Sequence, residues 1–157
     1  MSKTLTFISS IGLCLAMGAL GSIFTAPAIQ GWYGSLIKPS FNPPDWVFGP
    51  VWTLLYILMG IALYLVLIKG KDASGVKKGV QIFLIQLMLN VAWSYLFFYL
   101  KSPFYAFLEI LLLWAAIFLT MRQFKKLDIR AVWLLVPYIL WVSFAAFLNY
   151  TIWRLNI

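Results

Sequence analysis

The sequence predicts an all-α membrane protein, a single bundle of five transmembrane helices with a structured loop between the first two. Of its 157 residues, 64% are hydrophobic and 10% are charged, which is too little charge for a water-exposed surface. Five mostly apolar runs of about 20 residues are each long enough to cross a hydrocarbon core. They are residues 5–26, 47–68, 80–100, 104–121 and 132–153. In lipid each backbone must satisfy its own hydrogen bonds, which favours helices packed as one bundle.

The first apolar run also has features of a cleaved signal peptide. It follows Lys3 and ends near the small residues Ala26 and Ala28. Signal peptides usually have a shorter apolar region, of about 7–15 residues. We therefore interpret this run as a transmembrane span, with the signal peptide as the alternative.

Basic residues are unevenly divided between the two faces of the predicted bundle. If the spans alternate in direction, one face carries Lys3, Lys69, Lys71, Lys77, Lys78, Arg122, Lys125, Lys126 and Arg130, against Asp72 and Asp128. The other face carries Lys38, Lys101 and Arg154. The positive-inside rule then predicts a cytoplasmic N-terminus and a C-terminus outside. This topology accounts for most of the net charge of +8, and the basic residues beside the membrane can attract anionic lipid. No nucleic-acid partner is therefore expected.

The longest predicted loop, residues 27–45, is rich in proline and aromatic residues. Proline fixes its own backbone and restricts the residue before it, so this loop samples few conformations. We expect it to act as a lid over the bundle, and Pro43 and Pro44 to start the second span. For each aromatic ring of the loop, a place in the interfacial aromatic belt remains the alternative.

Polar side chains recur at helical spacing inside three of the predicted spans. The faces are Trp52, Tyr56 and Gly60; Gln86, Asn90 and Ser94, beside Trp93 and Phe97; and Trp141, Ala145 and Asn149. Amide side chains in hydrocarbon need a partner or a cavity, because lipid offers no hydrogen bond. Hydrogen bonds between helices, of about 1 kcal/mol each, are one solution. A ligand cavity is the other.

The aromatic content favours a cavity. Eight Trp, eight Tyr and thirteen Phe exceed what interfacial anchoring of five helices needs. Flat indole faces suit a large planar apolar ligand. The alternative is that the rings only fill the core of the bundle.

Three blocks of the chain carry a specific pattern from Trp32 to near the C-terminus. They are WYGSLIKPSFNPPDWVFGPVWTLLYILMG, NVAWSYLFF and LLVPYILWVSFAAFLNYTIWRLN. In content and order they resemble the TspO/MBR family of tryptophan-rich sensory proteins and translocator proteins, also known as peripheral benzodiazepine receptors. The resemblance implies that residues 1–157 form a single five-helix domain with a ligand cavity beneath the first loop. It also implies a membrane receptor or sensor that binds porphyrins, sterol-like lipids and benzodiazepine-site ligands, with no required cofactor.

The resemblance also assigns residues to this cavity. Trp52 and Trp141 match the two tryptophans implicated in porphyrin handling. The full set of expected ligand-binding residues is Trp32, Tyr33, Pro43, Trp52, Tyr56, Asn90, Trp93, Phe97, Trp141, Ala145 and Leu148. Near the C-terminus, Leu148, Tyr150 and Arg154 fit the Leu, Tyr, Arg pattern of the family's sterol motif, a pattern that many helix ends match by chance.

The sequence restricts the chemistry of the expected site. It contains no histidine, and its single cysteine, Cys14, lies in the first span, so the usual strong ligands of haem iron are missing or poorly placed. We expect no metal site, and a tetrapyrrole held by stacking and through its propionates by Lys38, Arg154 and loop amides.

Two other functions remain open at this stage. One is transport of porphyrin or sterol, although the inverted repeats common in carriers are not visible. The other is light-dependent porphyrin degradation, reported for the family, in which Trp52 and Trp141 would be the catalytic residues. No Ser–His–Asp set or phosphate-binding glycine loop can be assembled from the sequence.

Glu109 is the lone carboxylate inside a predicted span. Such residues usually face the bundle interior, which makes a proton or ligand role the first hypothesis. Pairing with a basic side chain near the membrane interface is the structural alternative.

Small residues four apart in the first span allow another helix to come close. They are Gly12 with Ala16 and Gly18 with Ser22, and the partner is either a helix of the same bundle or a second copy. Because proteins of the resembled family are commonly dimers, we expect a homodimer. The charge pattern and short tails suit a bacterial plasma membrane, and the resemblance also allows the mitochondrial outer membrane.

Overall fold

The computed structural model describes residues 2–70 and 74–157. Within these residues, five helices are long and apolar enough to cross a membrane, which confirms the predicted fold class. In chain order the helices are α1 (Lys3–Ile29), α2 (Trp32–Ser35), α3 (Asp45–Leu67), α4 (Val76–Ser94), α5 (Pro103–Lys125) and α6 (Ile129–Leu155). A π-helical turn, Tyr95–Tyr99, prolongs α4. The short helix α2 belongs to the segment between α1 and α3, residues 30–44, which we call the long loop.

The long loop begins later than the sequence predicts, because α1 continues through Pro27 to Ile29. A proline inside a helix removes one backbone hydrogen bond, and Pro27 removes it in the final turns, where few later residues depend on it. The other end of the loop agrees with the prediction. Pro44 is the N-cap residue of α3, and Asp45 in the first turn places a carboxylate near the positive end of the helix dipole.

The two ends of the bundle differ in their contacts. Lys69 after α3 forms an ion pair with Asp128 before α6, so these two basic connections lie at one end, which we call the basic end. At the opposite end, the loop end, Asn156 after α6 contacts Ile37 of the long loop. The spans therefore alternate in direction, as the charge pattern requires. Two residues of that pattern, Lys71 and Asp72, lie outside the described residues.

The core is continuous at the basic end and aromatic at the loop end. Buried aliphatic and aromatic side chains from α3, α4, α5 and α6 fill the basic half, where the rings of Phe83 and Phe124 stack with centroids 5.7 Å apart. A second cluster at the loop end includes Tyr33, Phe97 and Leu148. Each of these aromatic rings buries a large apolar area against neighbouring side chains of the protein.

Helices α1 and α3 approach closely through glycine. A Cβ atom on Gly18 would lie 2.6 Å from the ring of Tyr56, and one on Gly60 would lie 2.6 Å from the Cα atom of Ile11. For Gly18, the small-residue pattern thus serves packing within one chain. A Cβ on Gly12 would meet nothing within 4 Å among the described residues, and the homodimer stays a prediction.

The Asp128 side chain joins the basic ends of α3 and α6. Its carboxylate accepts hydrogen bonds from the backbone N–H of Arg130 at 3.0 Å and from the guanidinium of Arg130 at 2.8 Å, and it lies 3.1 Å from the Lys69 ammonium. The Arg130 guanidinium holds the pKa of the Asp128 carboxyl well below its usual range. The ionised side chain therefore caps α6 and ties it to the end of α3.

We predict that Asp128→Asn destabilises the protein in a pH-dependent way. Because the folded pKa is lowered, the carboxylate stabilises the fold above its unfolded pKa of about 3.9 and loses this effect as the pH falls further. The difference in Tm between the parent and Asp128→Asn proteins in detergent should be constant above about pH 5 and shrink below about pH 4. Asp45→Asn removes an exposed carboxylate that forms no ion pair among the described residues, so it is the control, with only the smaller effect of a charge near the start of α3. A difference for Asp128→Asn that stays constant under acid conditions would contradict this account.

Candidate ligand-binding cavity

A cavity of about 550 Å³ lies at the loop end of the bundle, within the usual size range of small-molecule sites. Its walls come from α1, α3, α4, the π-helical turn and α6, and α2 contributes Tyr33. The aromatic residues of the lining are Tyr33, Trp46, Phe48, Trp52, Tyr56, Trp93, Phe97, Phe98 and Trp141. No described residue of α5 takes part. The cavity is thus an aromatic chamber on one side of the bundle.

Most of the residues predicted for the site meet in this cavity. Those in the lining are Tyr33, Trp52, Tyr56, Asn90, Trp93, Phe97, Trp141, Ala145 and Leu148. Trp32 and Pro43 are not among the described lining residues. Trp32 instead packs edge-on against Phe97, with ring centroids 5.7 Å apart, and the Pro43 carbonyl accepts a hydrogen bond from the Asn42 amide. Trp32 thus supports the wall from behind Phe97, whereas Pro43 contacts its neighbour in the long loop.

The floor of the cavity is a chain of buried hydrogen bonds. The Tyr56 hydroxyl donates to the Asn90 carbonyl oxygen at 2.7 Å, and the Asn90 amide donates to the Tyr138 hydroxyl at 2.8 Å. The Tyr138 hydroxyl in turn donates to the side-chain oxygen of Gln86 at 2.8 Å. Gln86 therefore bonds between helices, whereas Asn90 both bonds between helices and borders the cavity. The chain fixes α3, α4 and α6 relative to one another.

A second polar contact sets the orientation of Trp93. Its indole N–H donates to the Asn149 side chain at 3.0 Å, and the Asn149 amide donates to the backbone carbonyl of Pro103 at 2.8 Å. The Trp93 ring also stacks on Phe97, with centroids 5.3 Å apart and planes inclined by 26°. A ring held at both its edge and its face offers a fixed surface to a ligand.

The other two indoles of the wall are held mainly by aromatic contacts. Trp52 lies 5.8 Å from the Tyr56 ring, and Trp141 meets Phe48 edge-on at 6.0 Å, measured between centroids. Neither indole is fully buried. The buried indole nitrogen of Trp141 has no hydrogen-bond partner in the part of the chain that the structure describes.

The long loop is fastened over the loop end by side-chain hydrogen bonds. The Tyr33 hydroxyl donates to the Asn42 side-chain oxygen at 2.9 Å. The side chain of Asn156 accepts from the Ile37 N–H and donates to the Ile37 carbonyl, both at 2.9 Å. Burial raises the pKa of Tyr33 to about 12, so its phenol stays a neutral donor at physiological pH.

The basic residues predicted to meet a carboxylate do not lie together. Lys38 projects over the Tyr33 ring, 4.7 Å from its centroid. Arg154 is exposed and lies over the Trp153 ring, 5.8 Å away. Of the charged residues, the described lining includes Asp45 and neither Lys nor Arg. Lys38 is thus the basic side chain next to a wall residue, and Arg154 belongs to another surface.

The sterol motif does not form one surface. Leu148 is buried in the cavity wall, whereas Tyr150 is exposed and packs against Phe107 at 5.3 Å. Successive residues of an α-helix are about 100° apart, so positions two and six residues beyond Leu148 face away from it. The pattern in the sequence joins residues that helix geometry separates.

Glu109 does not form the predicted ion pair. It is buried, and neither of its carboxylate oxygens has a hydrogen-bond partner among the described residues. It is also absent from the described cavity lining. A proton role for Glu109 stays a prediction.

Several residues of the cavity wall are not predicted from the sequence. Phe98 enters the wall because the π-helical turn buries it beside Phe97, which a regular helical period does not predict. Phe48 follows the proline pair, and its only signal was its aromatic ring. The α1 side of the wall includes Gly18, Ala19, Ser22 and Ala26. The small size of Gly18 and Ser22 predicts helix contact and here also leaves space, whereas Ala19 gave no signal and Ala26 only marked a candidate cleavage position.

Sequence comparison assigns this architecture to a family. A model of the TspO/MBR family matches residues 10–154. The chain belongs to the TspO/MBR family. Together with the five apolar helices, membership identifies an integral, multi-pass membrane protein, and it supports a receptor, sensor or transporter role.

Several relatives are similar over nearly their whole length. The tryptophan-rich protein TspO of Chlorobaculum tepidum is 52% identical over 154 residues, covering 98% of each chain. The translocator protein of Homo sapiens is 36% identical, with 96% of this chain and 91% of the relative covered. The tryptophan-rich sensory protein of Cereibacter sphaeroides is 36% identical, with 97% and 90% covered.

We predict that Tyr138→Phe destabilises this TspO/MBR protein through the cavity floor. The change removes the acceptor of the Asn90 amide and the donor to Gln86, and two unpaired buried groups cost about 1–3 kcal/mol or more. The free energy of unfolding, measured by denaturant titration in detergent, should fall accordingly. Tyr95→Phe is the matched control, because Tyr95 is exposed and its hydroxyl has no partner in the described hydrogen-bond network. Equal stability of the two variants would show that the floor network contributes little.

Proposed function

We propose that this protein is a membrane receptor or sensor that binds a planar apolar ligand of the tetrapyrrole class in the cavity beneath the long loop. The observation that carries the proposal is the 550 Å³ chamber bordered by Trp52, Trp93 and Trp141. Sterol-like lipids and benzodiazepine-site ligands share the apolar polycyclic character that such a chamber accepts. We include them in the same ligand class.

The walls suit a flat molecule better than a flexible chain. Indole and phenyl faces gain most from a ligand ring that stacks on them or meets them edge-on. Trp93 is held in one orientation by Asn149 and Phe97, so little side-chain freedom is lost when a ring binds it. Asn90 offers a polar atom at the floor, which can set the orientation of a ligand.

The charges favour one orientation of a porphyrin. Lys38 beside Tyr33 would attract a propionate at the loop end, whereas Asp45, which begins α3 at the same end and lines the cavity, would repel one placed against it. The apolar macrocycle then lies between the indoles with its carboxylates towards Lys38. With no histidine in the sequence, binding by stacking accounts for this ligand without an axial metal bond.

The packing at the basic end favours a receptor over a transporter. Below Tyr56 and Asn90, the buried side chains of Met59, Leu63 and Phe83 belong to the continuous core, so the cavity ends within the bundle. Transport would require this half to open. Ligand accumulation in sealed vesicles that depends on the protein would support the transporter alternative.

We place the receptor in a bacterial plasma membrane as a homodimer with a cytoplasmic N-terminus. The meeting of two basic connections at one end, seen in the Lys69 to Asp128 ion pair, supports this orientation. The exposed small residue Gly12 supports a helix contact between copies. Chemical crosslinking in lipid vesicles tests the homodimer. Protease accessibility of the N-terminus in lipid vesicles tests the orientation.

We predict that Trp141→Ala weakens protoporphyrin binding by about 1–3 kcal/mol, the scale of one large aromatic contact. This corresponds to roughly a 5-fold to 150-fold rise in Kd, measured by quenching of tryptophan fluorescence in detergent. Trp133→Ala on the same helix is the control, because Trp133 is 69% exposed and lies outside the described lining. If both variants bind like the parent protein, Trp141 is not a ligand contact.

Light-dependent porphyrin degradation is a second candidate, favoured by the presence of Trp52 and Trp141 in the same cavity. We predict that protoporphyrin bleaches on illumination with the parent protein and persists with the Trp52→Phe, Trp141→Phe double variant. Absorbance during illumination measures the rate, after equilibrium binding has been verified. A Trp133→Phe, Trp153→Phe variant controls for the loss of two indoles. Unchanged bleaching by a double variant that still binds would exclude Trp52 and Trp141 as the reactive groups.

A further inference from the structure

The exposed part of the cavity lining lies on two helices. Lining residues of α4 and α6 are buried or partly buried, such as Asn90 at 3% exposure and Leu148 at 5%. On α1 and α3, by contrast, the lining includes exposed small residues and Trp46, which is 75% exposed. The small ones are Ala19, Ser22 and Ala26 of α1 and Gly49 and Thr53 of α3. We call the gap between these five residues the side opening.

The side opening exists because α1 and α3 touch closely only towards the basic end. There Gly18 lies against Tyr56, and Gly60 lies against Ile11. Further along α3, a Cβ atom on Gly49 would meet nothing within 4 Å among the described residues. The five residues that border this space have small side chains or, at Gly49, none.

The side opening is also free of unsatisfied hydroxyl groups. The Ser22 hydroxyl donates to the Ala19 carbonyl at 2.7 Å, and the Thr53 hydroxyl donates to the Gly49 carbonyl at 2.9 Å. Each hydroxyl bonds to its own helix, as is common for Ser and Thr in helices. Both residues belong to helices that span the membrane. The surface presented to lipid is therefore effectively apolar.

At the loop end, in contrast, the long loop is held to the end of α6 by hydrogen bonds. Entry from water past the long loop would require breaking the two hydrogen bonds between Asn156 and Ile37 and displacing the buried ring of Tyr33. No comparable described contact crosses the side opening at Gly49.

We propose that the ligand enters and leaves the cavity sideways, from the membrane leaflet at the loop end, through the side opening between α1 and α3. This inference rests on the proposed function and narrows its ligand class to molecules that partition into the bilayer. The long loop then closes the cavity to water and is not the route of exchange.

The proposal can be tested by blocking the side opening and measuring the rates of ligand association and dissociation. Gly49→Phe adds a ring where space is free, and Ala115→Phe is the matched control, because Ala115 is a small exposed residue of α5 outside the described lining. Stopped-flow quenching of tryptophan fluorescence by protoporphyrin, with the protein in lipid nanodiscs, gives association and dissociation rates. Gly49→Phe should slow both rates about tenfold and leave Kd nearly unchanged, as expected for a gate. Ala115→Phe should behave like the parent protein.

A second pair of variants separates the two routes. Ala26→Phe blocks the side opening from α1 and should also slow both rates, whereas Asn156→Ala releases the long loop and should leave them unchanged. Faster exchange with Asn156→Ala, together with parent-like rates for Gly49→Phe and Ala26→Phe, would overturn the lateral route. Equilibrium titration of the parent protein distinguishes the failures. Absence of saturable binding refutes the proposed function and the route together, whereas saturable binding with unaffected rates refutes the route alone.

Discussion

The bundle depends on the hydrogen bonds that Asn90 makes inside the membrane. Lipid cannot hydrogen-bond a carboxamide, so both polar atoms of Asn90 must find partners on neighbouring helices. They find Tyr56 and Tyr138, and these bonds fix three helices at one depth. On one side of that level the side chains pack into a continuous core, and on the other side the indoles surround a cavity. The Asn90 amide thus lies at the boundary between the packed half of the bundle and the half that contains the cavity.

Above this boundary, the cavity persists because small residues and fixed rings keep its walls apart. Gly18 and Gly60 let α1 rest against α3 near the floor, and small α1 residues beyond that contact leave space open. Trp93, held by Asn149, cannot turn to fill the space. Dense packing on one side and rigid aromatic walls on the other make a preformed site, which favours affinity because little must be ordered on binding.

The sequence predicts the fold well because hydropathy and span length determine it, and five helices follow directly. It predicts much of the cavity wall because Tyr56, Asn90 and Trp141 lie on helical faces with a clear period. The sequence does not predict features of the wall that depend on irregular backbone geometry or on the space left by small side chains. Phe98 is buried because of a π-helical turn, and the α1 side of the cavity wall consists largely of small residues. The burial of Glu109 without a described hydrogen-bond partner depends on the packing of neighbouring helices, which no local pattern reveals.

A structure of the protein with bound protoporphyrin tests the central claim most directly, because it locates the ligand without relying on any variant. The account predicts the macrocycle between the indoles of Trp52 and Trp141, above the floor formed by Tyr56 and Asn90, with its carboxylates at the loop end. A macrocycle bound on the outer, lipid-facing surface of the helices, with the cavity unchanged, would contradict it.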